Sequence, residues 1–254
     1  MNLKLLLLLN VSWCVRIIQV QGGTQLGYYY IDSYIGNPPQ KKGLIIDTGS
    51  QLMIIPKRGC EQCNPHQNGL FDERKSKTIK TLRSNKRYLG WKCRAEPRDD
   101  LCEFEVMYDE GSRYSGYYVE DQVLFENELQ TENPDQFRQI FGLATVETGM
   151  FLTQRVDGIV GLGLSSPHQP PNPFQTKLFR NKDARLIFSM CLAHGGGYMT
   201  IGDEGAETSR GNDIKWIGCP HNDWNKKYSV DLQQIKIDGV QVEFDYSSLN
   251  HRRN

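Results

Sequence analysis

Short apolar runs that end in glycine turns recur along most of this chain. The run at residues 44–46 leads directly into Asp47-Thr48-Gly49-Ser50, and the run at residues 156–163 is closed by Gly161 and Gly163. Their β-branched and leucine side chains are typical of buried strands. The pattern therefore predicts a mostly β fold built from short strands.

Four glycine-containing turns separate aromatic or alternating runs, which predicts hairpins. The turns are Gly36-Asn37-Pro38-Pro39, the tip at Gly111, Gly195-Gly196-Gly197 and Asp238-Gly239. The run at residue 195 lacks the Lys-Ser/Thr of a P-loop, so we interpret it as a turn and not as a phosphate site. A helix is predicted only near residues 174–181.

Asp47 is the candidate for acid-base chemistry, because a buried strand and the glycine turn at Gly49 would fix its backbone. The hydroxyls of Thr48 and Ser50 are expected to bond the carboxylate or its neighbouring backbone. Two such carboxylates facing each other share one proton, and one then acts as base on a water while the other donates to a carbonyl. No second Asp-Thr-Gly or Asp-Ser-Gly occurs in the 254 residues. The motif therefore predicts half of an acid-base site.

An isolated Asp-Thr-Gly is more often an ordinary strand-to-turn aspartate, so its context decides. Upstream lies an aromatic strand at residues 28–35, and downstream lie Tyr108-Asp109-Glu110-Gly111-Ser112 and the glycine-closed run at residues 156–163. From about residue 26 to the end, the order and spacing of these elements resemble the pepsin-like aspartic proteases. The cysteine positions and Phe188-Ser189-Met190-Cys191-Leu192 look most like the nepenthesin and plasmepsin V branch.

The resemblance implies a bilobal pepsin-like fold whose amino-terminal lobe is complete and whose carboxyl-terminal lobe is partial. It makes Asp47 the first catalytic aspartate and the Tyr108 hairpin the flap that closes over substrate. It also implies substrate contacts at Gly49, Ser50, Tyr108, Gly111 and Ser112. Where many members carry a tryptophan that holds the flap tyrosine, this chain has Ile54, so Tyr108 is expected to be held differently or to swing more freely.

The domain expectation is a signal peptide at 1–22, an amino-terminal lobe at 25–203 and a partial carboxyl-terminal lobe at 204–254. Cleavage is expected near Val20-Gln21-Gly22, with Ser12-Trp13-Cys14 as the second candidate. A hinge is predicted at residues 202–212. The site near residue 22 leaves no room for a long basic prosegment. Apolar residues that alternate beyond the hinge are expected to remain exposed: Val230, Leu232, Ile235, Ile237, Val240, Val242 and Phe244.

Six cysteines outside the leader are disulfide candidates in an oxidising compartment, which predicts the secretory pathway, either extracellular or a lysosome-like endomembrane compartment. Cys60, Cys63, Cys93 and Cys102 would staple a polar loop, and a zinc site is the rival interpretation. The sequence leaves open whether Cys191 pairs with Cys219 or with a residue beyond 254. Connectivity stays open, because six cysteines allow about fifteen pairings.

Composition narrows the functional classes. The formal net charge is zero, which gives no electrostatic footprint for nucleic acid. The histidines show no metal spacing, no cofactor is expected, and no later segment is apolar for long enough to span a membrane. Ser50 and Ser112 lack the Gly-x-Ser-x-Gly elbow of serine hydrolases.

The leading prediction is an aspartic endopeptidase, impaired in this chain, that acts as a monomer on peptide or protein substrates. The alternative is a non-catalytic peptide-binding protein or pseudo-protease. A symmetric homodimer with two copies of Asp47 is disfavoured, because the extra half-lobe would obstruct the two-fold contact.

Overall fold

The computed structural model describes residues 16–88, 91–93, 100–125, 137–164, 169–170, 187–201, 215–219, 227–230 and 232–242. Strands dominate these segments, as the pattern predicts. The strands are β1 (Arg16–Gly23), β2 (Tyr28–Ile35), β3 (Gln40–Asp47), β4 (Met53–Glu61), β5 (Lys80–Thr81), β6 (Arg87–Tyr88), β7 (Trp91–Lys92), β8 (Glu103–Met107), β9 (Arg113–Phe125), β10 (Phe137–Glu147), β11 (Gly158–Gly161), β12 (Phe188–Ala193), β13 (Gly196–Ile201), β14 (Ile235–Ile237) and β15 (Val240–Val242). Short 3₁₀ helices span Glu73–Lys75 and Gly149–Thr153.

Eleven of these strands form one sheet in the order β12-β13-β1-β2-β3-β11-β4-β10-β9-β5, with β8 added on β9. The sheet curls back on itself, because β2 pairs with both β3 and β9. Most pairs are antiparallel, but β11 runs parallel to β3 and β10 runs parallel to β4. The two parallel pairs bring the strand that ends at Asp47 and its neighbour β11 into the centre of the sheet.

The predicted hairpins are all present. They are β2–β3, β8–β9, β12–β13 and β14–β15. In the last one, Asp238 and Gly239 have φ values of 50° and 82°, the left-handed pair that a tight two-residue turn requires. The predicted helix at residues 174–181 and the predicted hinge at 202–212 lie outside the described residues.

Two apolar clusters form the core. One gathers around Ile31, Leu44 and Phe141, inside the curled sheet. The other lies beneath the β8–β9 hairpin and includes Ile54 and Phe151. Because the second cluster lies under the hairpin, its packing fixes the base of the predicted flap.

Strand β1 overlaps the predicted signal peptide. It pairs with β13 on one side and β2 on the other, and Ile18 and Val20 are buried in the core. Ile18 and Val20 alternate with Gln19 and Gln21, which is the period of a half-buried strand. The cleavage site predicted near Gly22 thus lies inside a strand, whereas the second candidate near Cys14 precedes it.

Five of the seven apolar residues predicted to be exposed after the hinge are exposed, whereas Val242 is partly buried and Phe244 lies outside the described residues. Val230, Ile237 and Val240 are 61%, 63% and 70% exposed. Within the described segments, no helix is both long and apolar enough to cross a membrane.

Candidate active site

Asp47 is the last residue of β3 and lies opposite Gly161 in the parallel pair with β11. Its backbone oxygen accepts a hydrogen bond from the Leu162 amide at 2.7 Å. The side chain is half-buried, and its Oδ1 accepts a bond from the Gly49 amide at 2.7 Å. Two neighbouring backbones therefore fix the carboxylate without removing it from solvent.

Glycines 161 and 163 allow the loop after Asp47 to pack against the end of β11. A Cβ added at Gly161 would lie 2.4 Å from the Gln51 carbonyl carbon, and one at Gly163 would lie 2.7 Å from the Ser50 oxygen. The Gly163 amide donates to that same oxygen at 2.7 Å. Any larger residue at either position would push the catalytic loop away, which agrees with the supporting role that the resemblance implies.

The hydroxyls beside Asp47 do not act as the sequence predicted. Within the described residues, the carboxylate is bonded by the Gly49 amide and not by Thr48 or Ser50. Thr48 is exposed, and the Ser50 Oγ is buried without a hydrogen bond in the described structure. Gly49 matters here because a Cβ would approach the Asp47 Oδ1 to 3.1 Å.

Tyr108 begins the turn that joins β8 to β9. Its amide donates to the Ser112 oxygen at 2.8 Å, and the Gly111 amide donates back to the Tyr108 oxygen at 2.9 Å. Gly111 has a φ of 93°, which favours glycine at this tip. The predicted flap is therefore a tight hairpin with Tyr108 at its base.

The Tyr108 hydroxyl is buried next to the active-site loop. It makes no hydrogen bond of ordinary geometry among the described residues. Burial raises the pKa of this hydroxyl well above its ordinary value, and the Asp47 charge raises it further, whereas the Ser50 hydroxyl opposes the shift. The structure thus brings together Asp47, Ser50 and Tyr108, three of the residues predicted from sequence.

Phe151 holds the Tyr108 ring, a role that sequence reasoning missed. The two rings meet edge to face with centroids 5.2 Å apart, and Phe151 stacks on Tyr114 at 4.0 Å. Ile54 is fully buried and pairs with Gly142 and Ile159. The Tyr108 ring is therefore packed by a phenylalanine 43 positions further along the chain.

Ser112 lies beneath the flap turn. It is 1% exposed, and its Oγ accepts a bond from the Met150 amide at 2.9 Å. This bond ties the flap to the 3₁₀ helix that carries Phe151. A substrate contact at Ser112 remains a prediction.

Four of the six candidate cysteines form disulfides, Cys60–Cys63 and Cys93–Cys102. Their sulfurs are joined in pairs, which removes them as a common zinc ligand set. Cys191 and Cys219 are exposed and not bonded to each other. The local pairings could not be chosen from sequence, because spacing alone allows several.

Residues 227 and 228 contact both parts of the site. The Lys227 Nζ lies 3.1 Å from Asp109 Oδ2 in the flap turn, and the Tyr228 hydroxyl donates to the Leu162 oxygen at 2.9 Å. Sequence reasoning did not connect Tyr228 with this site, because a contact across some 66 positions leaves no local signal.

Comparison with known proteins agrees with this geometry. A family model described as xylanase inhibitor N-terminal matches residues 29–203. Aspartic protease 5 of Toxoplasma gondii is 30% identical over 188 residues, which cover 69% of this chain and 19% of that protein. Plasmepsin V of Plasmodium falciparum (isolate 3D7) is 33% identical over 181 residues, covering 70% and 30%. Aspartic proteinase 39 of Arabidopsis thaliana is 25% identical over 236 residues, covering 87% and 47%.

The chain spans less than half of the length of each of these three relatives. The family model nevertheless covers more than half of the chain, including β3 with Asp47, the flap hairpin and β11. The similarity to plasmepsin V also agrees with the branch that the cysteine pattern suggested. On the combined evidence of the match, the Asp47 loop and the flap, the chain belongs to the pepsin-like aspartic protease family.

Proposed function

We propose that this chain supplies the Asp47 half of an aspartic endopeptidase site. The observation that carries the proposal is the half-exposed Asp47 carboxylate, held by the Gly49 amide beside the buried Tyr108 hydroxyl. A carboxylate held at a strand end under a hairpin is suited to bind water and an extended peptide.

In the proposed reaction, Asp47 and a second carboxylate share one proton. The ionised member takes a proton from water, the hydroxide adds to the peptide carbonyl carbon, and the shared proton moves to the carbonyl oxygen. The carboxyl group that gained the water proton then donates it to the nitrogen as the C–N bond breaks. The other carboxylate takes a proton from one diol hydroxyl, which releases the acid product and restores the shared proton. Tyr108 and the 108–112 turn close over the substrate, with contacts proposed at Gly49, Ser50, Gly111 and Ser112.

The second carboxylate is proposed to come from outside these 254 residues, because Asp47 belongs to the only Asp-Thr-Gly or Asp-Ser-Gly in the sequence. The 254-residue chain is then a nearly complete amino-terminal lobe with the first strands of its partner lobe. By itself it binds peptide weakly and hydrolyses it poorly or not at all.

A second candidate function is peptide binding without catalysis. Two observations favour it: the lone catalytic motif, and a matching family model whose description names an inhibitor and not a protease. The same flap and half-cleft would then hold a peptide without cleaving it.

We further propose that the protein matures in the secretory pathway. The disulfides Cys60–Cys63 and Cys93–Cys102 favour an oxidising compartment. We propose that its final compartment is either extracellular or lysosome-like, whichever contains its peptide substrates.

The test combines binding and hydrolysis by the 254-residue chain. Pepstatin is titrated in, and quenched peptides are added at acidic pH, with Asp47→Asn and the exposed Asp100→Asn as a matched pair. We expect weak pepstatin binding that Asp47→Asn abolishes and Asp100→Asn preserves, with little hydrolysis. Peptide binding that ignores Asp47→Asn would support the binding-module alternative. Asp47-dependent hydrolysis that rises with the square of chain concentration would show the homodimer instead.

A further inference from the structure

A histidine and a glutamate lie against each other inside the amino-terminal lobe. His66 is 6% exposed and Glu147 is 0% exposed. The His66 Nε2 lies 3.2 Å from Glu147 Oε1, within ion-pair distance but without ordinary hydrogen-bond geometry, and its Nδ1 lies 2.6 Å from the Val156 backbone oxygen. Glu147 Oε1 also accepts a bond from the Asn64 amide at 2.7 Å. Buried ionisable groups at such distances require an explanation for their protons.

The contacts fix the proton count. The Val156 oxygen can only accept, so His66 Nδ1 must carry a hydrogen. A neutral His66 would then turn the lone pair of Nε2 toward Glu147, and two acceptors would face each other at 3.2 Å. The arrangement is favourable only when one proton lies between Nε2 and Oε1, either on an imidazolium or on a carboxylic acid.

We propose that His66 and Glu147 share one buried proton, and that this proton closes a pH-sensitive clasp between the flap base and the catalytic strand. The clasp is closed in acid and opens as the pH rises and the proton leaves. The proposal concerns the folded lobe itself and does not depend on peptide hydrolysis.

One arm of the clasp reaches the flap. Glu147 is the last residue of β10 and lies opposite Tyr114 in the pairing with β9. Tyr114 stacks on Phe151, which in turn contacts the Tyr108 ring. Glu147 therefore belongs to the element that holds the flap base.

The other arm reaches the strand that carries Asp47. Beside Val156, the buried Asp157 accepts bonds from the Asn68 amide at 2.7 Å and from the Gly43 amide at 2.6 Å. Gly43 lies in β3, which ends at Asp47. His66 and Asn68 thus dock one loop onto the start of β11 and onto β3 together.

The surrounding charges are Glu147, Asp157 and Lys42, with Tyr114 as a further titratable group. Burial lowers the pKa of His66, but the hydrogen bond and charge of Glu147, the bond to Val156 and the Asp157 charge outweigh burial, so the pKa is raised. Burial lowers the pKa of Lys42 in spite of the Asp157 charge. Lys42 donates to the Asn68 and Gly69 oxygens at 3.1 and 2.7 Å. It is a second docking group for the same loop.

The sign of the pH effect follows from the direction of the His66 shift. A pKa raised in the folded state stabilises the lobe fully below the unfolded value of about 6.5. That stabilisation is lost as the pH rises through the folded value. We therefore expect the clasp to weaken on the alkaline side.

Glu147→Gln separates the shared proton from the packing. Both contacts fall on Glu147 Oε1, so the glutamine oxygen at that place keeps the bond from the Asn64 amide. The variant loses the buried negative charge, so a neutral His66 no longer faces a carboxylate. The matched control is His194→Gln, because His194 is exposed and contacts only Thr24 among the described residues. The melting temperature of each full 254-residue variant is followed from about pH 5 to pH 9, across the ordinary histidine range.

We expect the wild-type melting temperature to fall by about 3 °C or more on the alkaline side. Glu147→Gln should flatten the profile, so that its curve lies below wild type in acid and crosses above it in base. His194→Gln should keep the wild-type shape. Parallel wild-type and Glu147→Gln profiles would overturn the proposal.

If Glu147→Gln does not fold, measurements on the wild-type protein still test the clasp. Ring ¹⁵N shifts of His66 give its protonation, and hydrogen exchange at the Asn64 and Asn68 amides reports the docked loop. We expect both amides to exchange faster at the pH where His66 loses its proton. Titration of His66 with unchanged exchange at both amides would contradict a clasp. Either result leaves the catalytic proposal for Asp47 separately testable.

Discussion

At the scale of single residues, the Tyr108 hydroxyl is buried beside the Asp47 loop, near the Ser50 hydroxyl but without a hydrogen bond of ordinary geometry. A buried hydroxyl that lacks a hydrogen bond lowers stability relative to an apolar ring of the same shape. Such a group fits a role in which substrate supplies the missing bond. At this position the hydroxyl would then lower the stability of the free protein and strengthen the binding of substrate.

Replacing Tyr108 by phenylalanine tests this interpretation. We expect Tyr108→Phe to leave the free energy of unfolding unchanged or to raise it by up to about 1 kcal/mol, because nothing bonded is removed. Tyr117→Phe is the matched control. The Tyr117 hydroxyl donates to Glu73 at 2.6 Å and accepts from Lys57 at 2.8 Å, so its loss should cost about 1–2 kcal/mol. Urea unfolding of both variants measures the difference, and a larger loss for Tyr108→Phe would contradict the account.

The sequence predicted residues whose signal is local and missed those whose partners are distant. Asp47 and Tyr108 belong to short motifs, and the structure places them together. Phe151 and the Glu147 partner of His66 carry no local signal, because each contact joins segments that only the folded sheet brings together. The Ser50 hydroxyl shows a different limit, since the spacing could not reveal that the Gly49 amide would bond the carboxylate instead.

At the scale of elements, hairpins were predictable because alternation and turn residues are local properties. The β14–β15 hairpin lies where Asp238-Gly239 predicted it. Strand β1 was not predicted, because the apolar residues that pair it with β13 also resemble the end of a leader. A leader segment and a buried strand differ in whether the residues pair with other strands of the fold. A short stretch of sequence does not contain that information.

Strand β1 gives a prediction about processing. Cleavage near Gly22 would remove Ile18 and Val20 from the core, whereas cleavage near Cys14 would keep them. We expect the mature secreted protein to begin upstream of Arg16, and amino-terminal sequencing of the secreted form measures it. A mature terminus at residue 22 or 23 in a stably folded protein would show that β1 is dispensable.

The two disulfides should contribute unequally. Cys93 and Cys102 are buried and close a loop with a sequence separation of 9, whereas Cys60 and Cys63 are separated by 3 and lie nearer the surface. Replacing Cys93 and Cys102 by serine should cost about 2–4 kcal/mol, and the Cys60 and Cys63 pair clearly less. Denaturant unfolding of the two double variants compares them. Equal losses would contradict a loop-length explanation, and free thiols in wild-type protein would contradict both pairings.

At the scale of the whole molecule, the carboxyl-terminal strands leave apolar side chains in water. Trp216 and Ile217 are 70% and 74% exposed, in addition to the hairpin residues Ile237 and Val240. An exposed set of this kind marks a surface that is covered in the working protein or a liability for aggregation. The sequence predicted exposure for Ile237 and Val240 but not for Trp216 and Ile217.

This exposure predicts the behaviour of the 254-residue chain in solution. We expect it to bind a hydrophobic dye such as ANS and to aggregate at moderate concentration. The double change Ile237→Ser with Val240→Ser should reduce dye binding and leave the melting temperature within about 2 °C, since exposed residues contribute little to stability. The buried pair Ile31→Ser with Leu44→Ser is the contrast and should unfold the protein. Weak dye binding by a monodisperse wild-type chain would contradict an uncovered face.

The account depends most on Asp47 as one of two carboxylates in a protease site. The most direct measurement is quenched-peptide hydrolysis by the 254-residue chain and by the product of the gene's reading frame continued beyond residue 254. We predict little hydrolysis by the short chain. The longer product should be active, lose about 10³-fold in rate on Asp47→Asn, and keep its rate on Asp100→Asn. A longer product that stays active after the Asp47→Asn change, or a reading frame that encodes no second Asp-Thr/Ser-Gly, would contradict the account.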